Sequence, residues 1–245
     1  MGVTARVAGG AVLLHGFAGS PSSMHPFARA LAPHVRRVAV PVLRGHDTRW
    51  SDLRAVSWRD WCDDARAAVD DVAGAGPVAV VGLSMGGALA LRLAATHPAV
   101  SHVVLVNPSI TMRNPLLPLL PVLRHVVPSI ANERPQVRDP SARYAGYRRI
   151  PLAAVQQMTR LWADVRPRLP AVTQPIRVFR SLADGPAGLR SVEVIRQGVR
   201  SADLVEVPLA RSGHVATLDH DAELIFAHTT AFLTGRPAPP TGRSA

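Results

Sequence analysis

Ser84 lies in the pentapeptide Gly-Leu-Ser-Met-Gly at positions 82–86, directly after the apolar run "PVAVV" and directly before an alanine-rich amphipathic stretch. A serine with glycine two places to either side, at a strand-to-helix reversal, is held in a sharp turn with its hydroxyl exposed at the carboxyl edge of a sheet. Side chains at the glycine positions would collide with the neighbouring strand or helix. The chemistry open to such a hydroxyl is attack on an acyl carbon. A free hydroxyl is too weak for that alone, so it requires a base and an acid that orients the base. The helix that follows points its unpaired amino-terminal N–H groups at the same spot.

In this topology the partners come from later strand ends, in the order serine, acid, histidine. Of the ten histidines, His15, His25, His34 and His46 precede Ser84. His97 ends the next helix, His102 begins a strand at the opposite edge, and His125 falls in an irregular interval. Three late candidates remain. His228 sits inside the last helical pattern, where a packed histidine is the ordinary reading. His214, in "LARSGHVATLDHD", follows the carboxyl end of a strand and precedes the final helix, which favours it over His220. For the acid, "RVFRSLADGPAG" puts Asp184 just past another strand end in a glycine-rich segment. Asp203 begins a strand, and Asp219 and Asp221 lie too near the base in sequence to reach its far nitrogen easily.

A reacting carbonyl also needs two N–H groups aimed at its developing charge. The amide of Met85, next to the serine, supplies one, and that of Phe17, in the glycine-rich loop "LLHGFAGSPSS", supplies the other. His15 is expected to brace that loop. Other suggestive residues have ordinary readings. Asp63–Asp64 and Asp70–Asp71 diverge around a helix axis and are expected on a solvated face. Trp58 and Trp61, at helical spacing, are expected to pack. His46 and Asp47 lack the further ligands of a metal site, and "GLSMGG" has neither the P-loop lysine nor the dinucleotide spacing. No cofactor and no metal are expected.

The elements that must position these residues are legible as valine-rich runs alternating with amphipathic segments, the pattern of parallel strands joined by crossover helices. Strands are expected at 11–16, 37–42, 77–82, 102–107, 176–181 and 203–208, and helices at 24–33, 58–73, 85–96, 188–199 and 221–233. The fold class is α/β, a mostly parallel doubly wound sheet. From about 108 to 170 the alternation stops, with many prolines, no clear strand and room for a helix or two. This interval is expected to be a small cap insertion over the carboxyl edge, where open α/β folds bind ligands. Residues 1–234 are read as one domain, and the Pro/Gly/Ser-rich tail 235–245 as disordered.

The formal net charge of +11 comes from arginine alone, because the chain of 245 residues contains no lysine. The arginines are scattered over nearly every element and form no basic run, so nucleic-acid binding is not expected; at most a peripheral attraction to lipid surfaces follows. A single cysteine, Cys62, allows no intramolecular disulfide and fits a reducing, cytoplasmic setting. The early apolar run passes straight into the loop carrying Phe17, so it is not read as a signal peptide, and no stretch reaches the roughly 18 apolar residues of a membrane span.

Taken together, "LLHGFAGSPSSM", "PVLRGHD", "SWRDWCDDA", "VVGLSMGG", "SLAD" and "SGHVATLD" resemble the α/β-hydrolase carboxylesterases and bacterial monoacylglycerol lipases, over about Val12 to Leu233. The resemblance implies an α/β-hydrolase fold with a cap before the acid-bearing strand. It further implies a catalytic triad at the positions of Ser84, Asp184 and His214, and an oxyanion hole at Phe17 and Met85. Two departures are "GHD" for the commoner "GHG" at 45–47, and small residues after Asp184 where the family has an apolar one. The expected activity is hydrolysis of carboxylic esters, with short- to medium-chain esters or monoacylglycerols as small-molecule substrates. The alternatives are another acyl or C–C cleavage, acyl transfer, or a binding module without chemistry, which would predict a broken triad. Relatives that attack carbon–halogen or epoxide bonds carry aspartate in place of the serine and are excluded.

Overall fold

A computed structural model describes residues 8–112, 114–132 and 136–239. Its strands are β1 (Gly10–Leu14), β2 (Arg37–Ala39), β3 (Val78–Leu83), β4 (Val100–Val106), β5 (Ser129–Ala131), β6 (Arg149–Pro151), β7 (Ile176–Ser181) and β8 (Leu204–Leu209). Six of them pair in parallel in the order β2-β1-β3-β4-β7-β8. The chain order reverses between β1 and β3, whose Leu14 and Gly82 are register partners. The loop carrying Phe17 and the turn at Ser84 therefore leave the sheet side by side, at the kind of switch point where such sheets bind ligands.

Helices α1 (His25–Leu31), α2 (Trp58–Ala73), α3 (Met85–Thr96), α4 (Leu120–Val126), α5 (Leu152–Val165), α6 (Gly185–Gly198) and α7 (Ala222–Thr234) complete the fold. Every residue of β1 and β3 is buried, because both faces of the sheet are covered. Alternate side chains serve opposite cores. Val12, Val80, Val103 and Leu105 pack with Trp61 and Val69 of α2, Leu89 of α3 and Leu161 of α5. Leu13, Val81, Val104 and Phe179 pack with Phe27 and Leu31 of α1 and Ile225 and Phe226 of α7. Helix α2 starts where Ser57 and Asp60 cap one another: Asp60 N donates to Ser57 Oγ at 3.3 Å, and Ser57 N donates to Asp60 Oδ2 at 2.8 Å.

The interval 108–170 differs from expectation in its strands. It holds a two-stranded antiparallel pair, β5 with β6, in which Ile130 faces Ile150. Three residues per strand are too few to show alternation in the sequence. The interval also divides in character. Helix α5 belongs to the main core through Ala154, Met158, Leu161, Trp162 and Val165, and Arg92 Nε of α3 pairs with Asp164 Oδ2 at 2.9 Å. Leu116, Leu119, Val122 and Val126, on and before α4, are exposed instead. Helix α6 starts at Gly185, three residues earlier than expected, with proline in its first turn, where a missing N–H costs nothing. Helix α7 ends at Gly235 in a left-handed conformation (φ 68°). Of the tail expected to be disordered, residues 240–245 lie outside the described residues. Among the described residues, no helix is long and apolar enough to cross a membrane.

Candidate active site

Ser84 joins β3 to α3 with φ 54° and ψ −112°, a backbone state that costs a non-glycine residue about 1–3 kcal/mol and persists only where its surroundings impose it. The surroundings are backbone groups in close contact. A Cβ on Gly82 would lie 2.2 Å from Gly86 O, and one on Gly86 would lie 2.1 Å from Leu14 O. The turn is also pinned to the end of β4: Ser84 N donates to Val106 O at 3.0 Å, and Ser109 N to Ser84 O at 3.1 Å. The serine is 9% exposed. Among the described residues its hydroxyl makes no hydrogen bond to the imidazole of His214; such contacts are often long before a substrate is bound.

The other two residues of the expected set meet directly. His214 Nδ1 lies 2.7 Å from Asp184 Oδ1. Asp184 ends a single 3-10 turn (Leu182–Asp184) after β7, and His214 stands in the loop after β8. Their side chains are 13% and 28% exposed, so the pair is shielded while the imidazole keeps an open side. With Nδ1 committed to the carboxylate, Nε2 is the nitrogen left to handle a proton. A Cβ on Gly188, in the first turn of α6, would come within 2.6 Å of Asp184 Oδ2. The absence of a side chain at Gly188 thus leaves the space that the Asp184 carboxylate occupies beside His214.

Asp219, not expected to be the acid on sequence grounds, shapes the loop that carries His214. Its Oδ2 accepts from Gly213 N and Arg138 N, both at 2.7 Å, and its Oδ1 from His220 N at 2.8 Å and Asp139 N at 3.0 Å. Burial pushes its carboxyl up, but these four donors bring it below the ordinary carboxylate range. His220 is exposed beside it, and His228 is buried in α7 against Phe179. Neither makes a hydrogen bond with Asp184 among the described residues.

The loop after β1 rests on two histidines. Leu43 N donates to His15 Nε2 at 3.2 Å, and Ala18 N donates to His46 Nε2 at 3.1 Å. The rings meet edge to face at 4.8 Å. Burial, with the neighbouring His46, pushes His15 down to about 3, and burial pushes His46 down to about 4. Both are neutral at physiological pH, as acceptance of backbone hydrogen bonds requires. His46 spends its other nitrogen on Leu43 O at 3.1 Å, so it has none free for a metal. Asp47, unexplained by sequence, accepts from Ser20 Oγ at 3.0 Å and so ties the "GHD" turn to the same loop. Phe17 packs edge-on against the fully buried Trp61 at 5.7 Å. The amides of Phe17 and Met85 do not donate within the turn and loop hydrogen bonds of the described residues.

The insertion reaches this loop as well. Tyr147 N donates to Ala18 O at 2.8 Å, and its hydroxyl donates to Gly45 O at 3.0 Å. Of the paired aspartates of α2, Asp63, Asp70 and Asp71 are exposed, and surface ion pairs join Asp64 to Arg44, Asp71 to Arg37 and Asp70 to His97. Two contributors had little sequence signal, Asn107 and Tyr147. Asn107 follows β4 with φ 43° and is 1% exposed; an asparagine ending an apolar run is the one cue it offers.

The chain has relatives among known proteins. The chain is 31% identical over 236 residues to a thermostable monoacylglycerol lipase of Bacillus sp. (strain H-257), covering 91% of this chain and 90% of the relative. It is 24% identical over 226 residues to a carboxylesterase of Bacillus subtilis (strain 168), covering 91% of each. Among solved structures, one from work on LipS and LipT, two metagenome-derived lipolytic enzymes, superposes with a TM-score of 0.87 at 29% identity, over 93% of this chain and 94% of that one. Residues 11–227 match the model of the alpha/beta hydrolase family, and with that match, the sheet order and the serine turn, the chain belongs to that family.

Proposed function

We propose that the protein is a serine hydrolase of carboxylic esters. His214 takes the proton of Ser84, whose oxygen attacks the ester carbonyl. The amides of Phe17 and Met85 receive the oxyanion, and His214 returns the proton to the departing alcohol. Water, activated by the same imidazole, then releases the acid from the acyl-enzyme. Asp184 holds the imidazole in the tautomer with the proton on Nδ1. The observation that carries the reading is the 2.7 Å contact between His214 and Asp184, from separate strand ends, at the sheet edge where Ser84 occupies its positive-φ turn.

Short- to medium-chain esters and monoacylglycerols are the proposed substrates, in line with the relatives named monoacylglycerol lipase and carboxylesterase. The chemistry needs no metal or cofactor. A cytoplasmic setting is the accompanying reading, since a single cysteine allows no intramolecular disulfide.

A panel of p-nitrophenyl esters and monoacylglycerols, run beside a fluorophosphonate probe, tests the reading. Wild-type protein should label and turn over at least one ester. Ser84→Ala should do neither, and Asp184→Asn should lower kcat by about 10⁴-fold. Absence of both labelling and hydrolysis in the wild type would sink the proposal.

A further inference from the structure

The side chain of Asn107 bonds both to the strand end leading to Asp184 and to the loop carrying His214. Its Oδ1 accepts from Ser181 N at 2.7 Å, three residues before Asp184. Its Nδ2 donates to His214 O at 2.8 Å, with Gly213 O at 3.2 Å and Ser181 Oγ at 2.9 Å. Ser181 Oγ itself donates to Gly213 O at 2.7 Å, closing the cluster. The amide orientation is fixed by its surroundings: a backbone N–H can only meet the oxygen, and two carbonyls can only meet the nitrogen. Aspartate lacks the donors, and glutamine is one methylene too long.

The backbone around Asn107 extends the connection to the nucleophile. Its own N donates to Phe179 O at 2.8 Å, while Val106 O and Ser109 N hold the backbone of Ser84. One four-residue segment, 106–109, thus touches the elements bearing all three triad residues. A left-handed φ of 43° is what swings the amide from the end of β4 across β7 to the loop beyond it, and asparagine tolerates that state better than most residues.

We propose that Asn107 is a positioning residue, whose amide sets the base loop against the acid strand and so fixes His214 relative to both Asp184 and Ser84. The proposal rests on the triad reading for its kinetic consequence, but not for its structural one.

Two variants test it. Asn107→Gly accepts the backbone conformation and deletes the clasp; Asn107→Asp keeps shape and acceptor and loses the donors. Folding is checked by circular dichroism and thermal unfolding. The kinetic readout is kcat and KM for p-nitrophenyl butyrate, and the spectroscopic one is the downfield proton resonance of His214 Nδ1–H, identified by its loss in Asp184→Asn. Both variants should fold, with kcat lowered about 10- to 100-fold, as a displacement of about 1 Å would produce, KM within about twofold, and the resonance shifted or broadened.

Unchanged kcat and an unmoved resonance would overturn the proposal. So would failure of both variants to fold, or activity lost only in proportion to the folded fraction, since Asn107 would then serve folding alone. If the wild type hydrolyses no ester, the triad reading fails instead, and the resonance still decides whether Asn107 positions His214.

Discussion

At the scale of residues, the site is built as much by absent side chains as by present ones. Gly188 shows this best: a methyl group there would lie 2.6 Å from the Asp184 carboxylate, so the acid must withdraw or rotate to admit it. Gly188→Ala should therefore lower kcat by about 10-fold or more with little change in KM. Its stability should hold or rise, since alanine favours a helix over glycine by up to about 1 kcal/mol. Steady-state kinetics beside a thermal melt checks this, and normal turnover would show that Asp184 can retreat without leaving His214. The sequence marks Ser84, Asp184 and His214 because each carries reactive atoms and stands just after a strand pattern. It does not mark Asn107 or Asp219, whose contribution lies in backbone groups that only the folded chain brings to them.

At the scale of elements, α2 supports the loop that carries Phe17 from beneath. Trp61 is fully buried, donates from Nε1 to Arg44 O at 3.1 Å and meets the edge of Phe17. Trp61→Ala should cost about 3–5 kcal/mol, as a large core truncation does. Trp61→Phe should cost less, because it keeps a ring under Phe17 and loses the bond to Arg44 O. Urea unfolding of the two variants measures the difference; equal losses would make the hydrogen bond, and not the packing, the support. All six strands of the parallel sheet were legible as valine-rich runs, and the helices on its faces as amphipathic segments. The short β5–β6 pair was not legible, because three residues carry no period. Helix α5 was not legible as a helix of the main core, because its apolar residues sit in a proline-punctuated interval.

At the scale of the whole molecule, two buried histidines link the site to overall stability. His15 and His46 have folded-state values of about 3 and about 4, below the 6.5 of an unfolded histidine. Below about pH 6.5 the unfolded chain takes up protons that the folded one refuses, so stability falls as pH falls towards 4. Above about 6.5 both states hold these rings neutral and the dependence vanishes. Buried His102 and His228 are lowered in the same direction by burial and by the nearby Arg177. Urea titrations between pH 5 and 7.5 should show unfolding free energy rising with pH up to about 6.5, by as much as about 1.4 kcal/mol per pH unit for each proton involved. A flat profile there would show that these histidines are not held neutral by the fold.

The sequence by itself determined the fold class, because hydrophobic period and glycine placement are local properties that a parallel sheet requires wherever it forms. It also singled out Ser84, Asp184 and His214 as the candidate residues, since strand ends can be read from the same local pattern and only a few histidines and carboxylates follow them. Only the tertiary structure decided how those residues are held. The clasp of Asn107, the bonds from Arg138 and Asp139 to Asp219, the histidines bracing the loop after β1 and the reach of Tyr147 all join segments far apart in the chain. Hydrogen bonds of that kind depend on direction and distance to within a few tenths of an ångström, and a linear sequence carries neither.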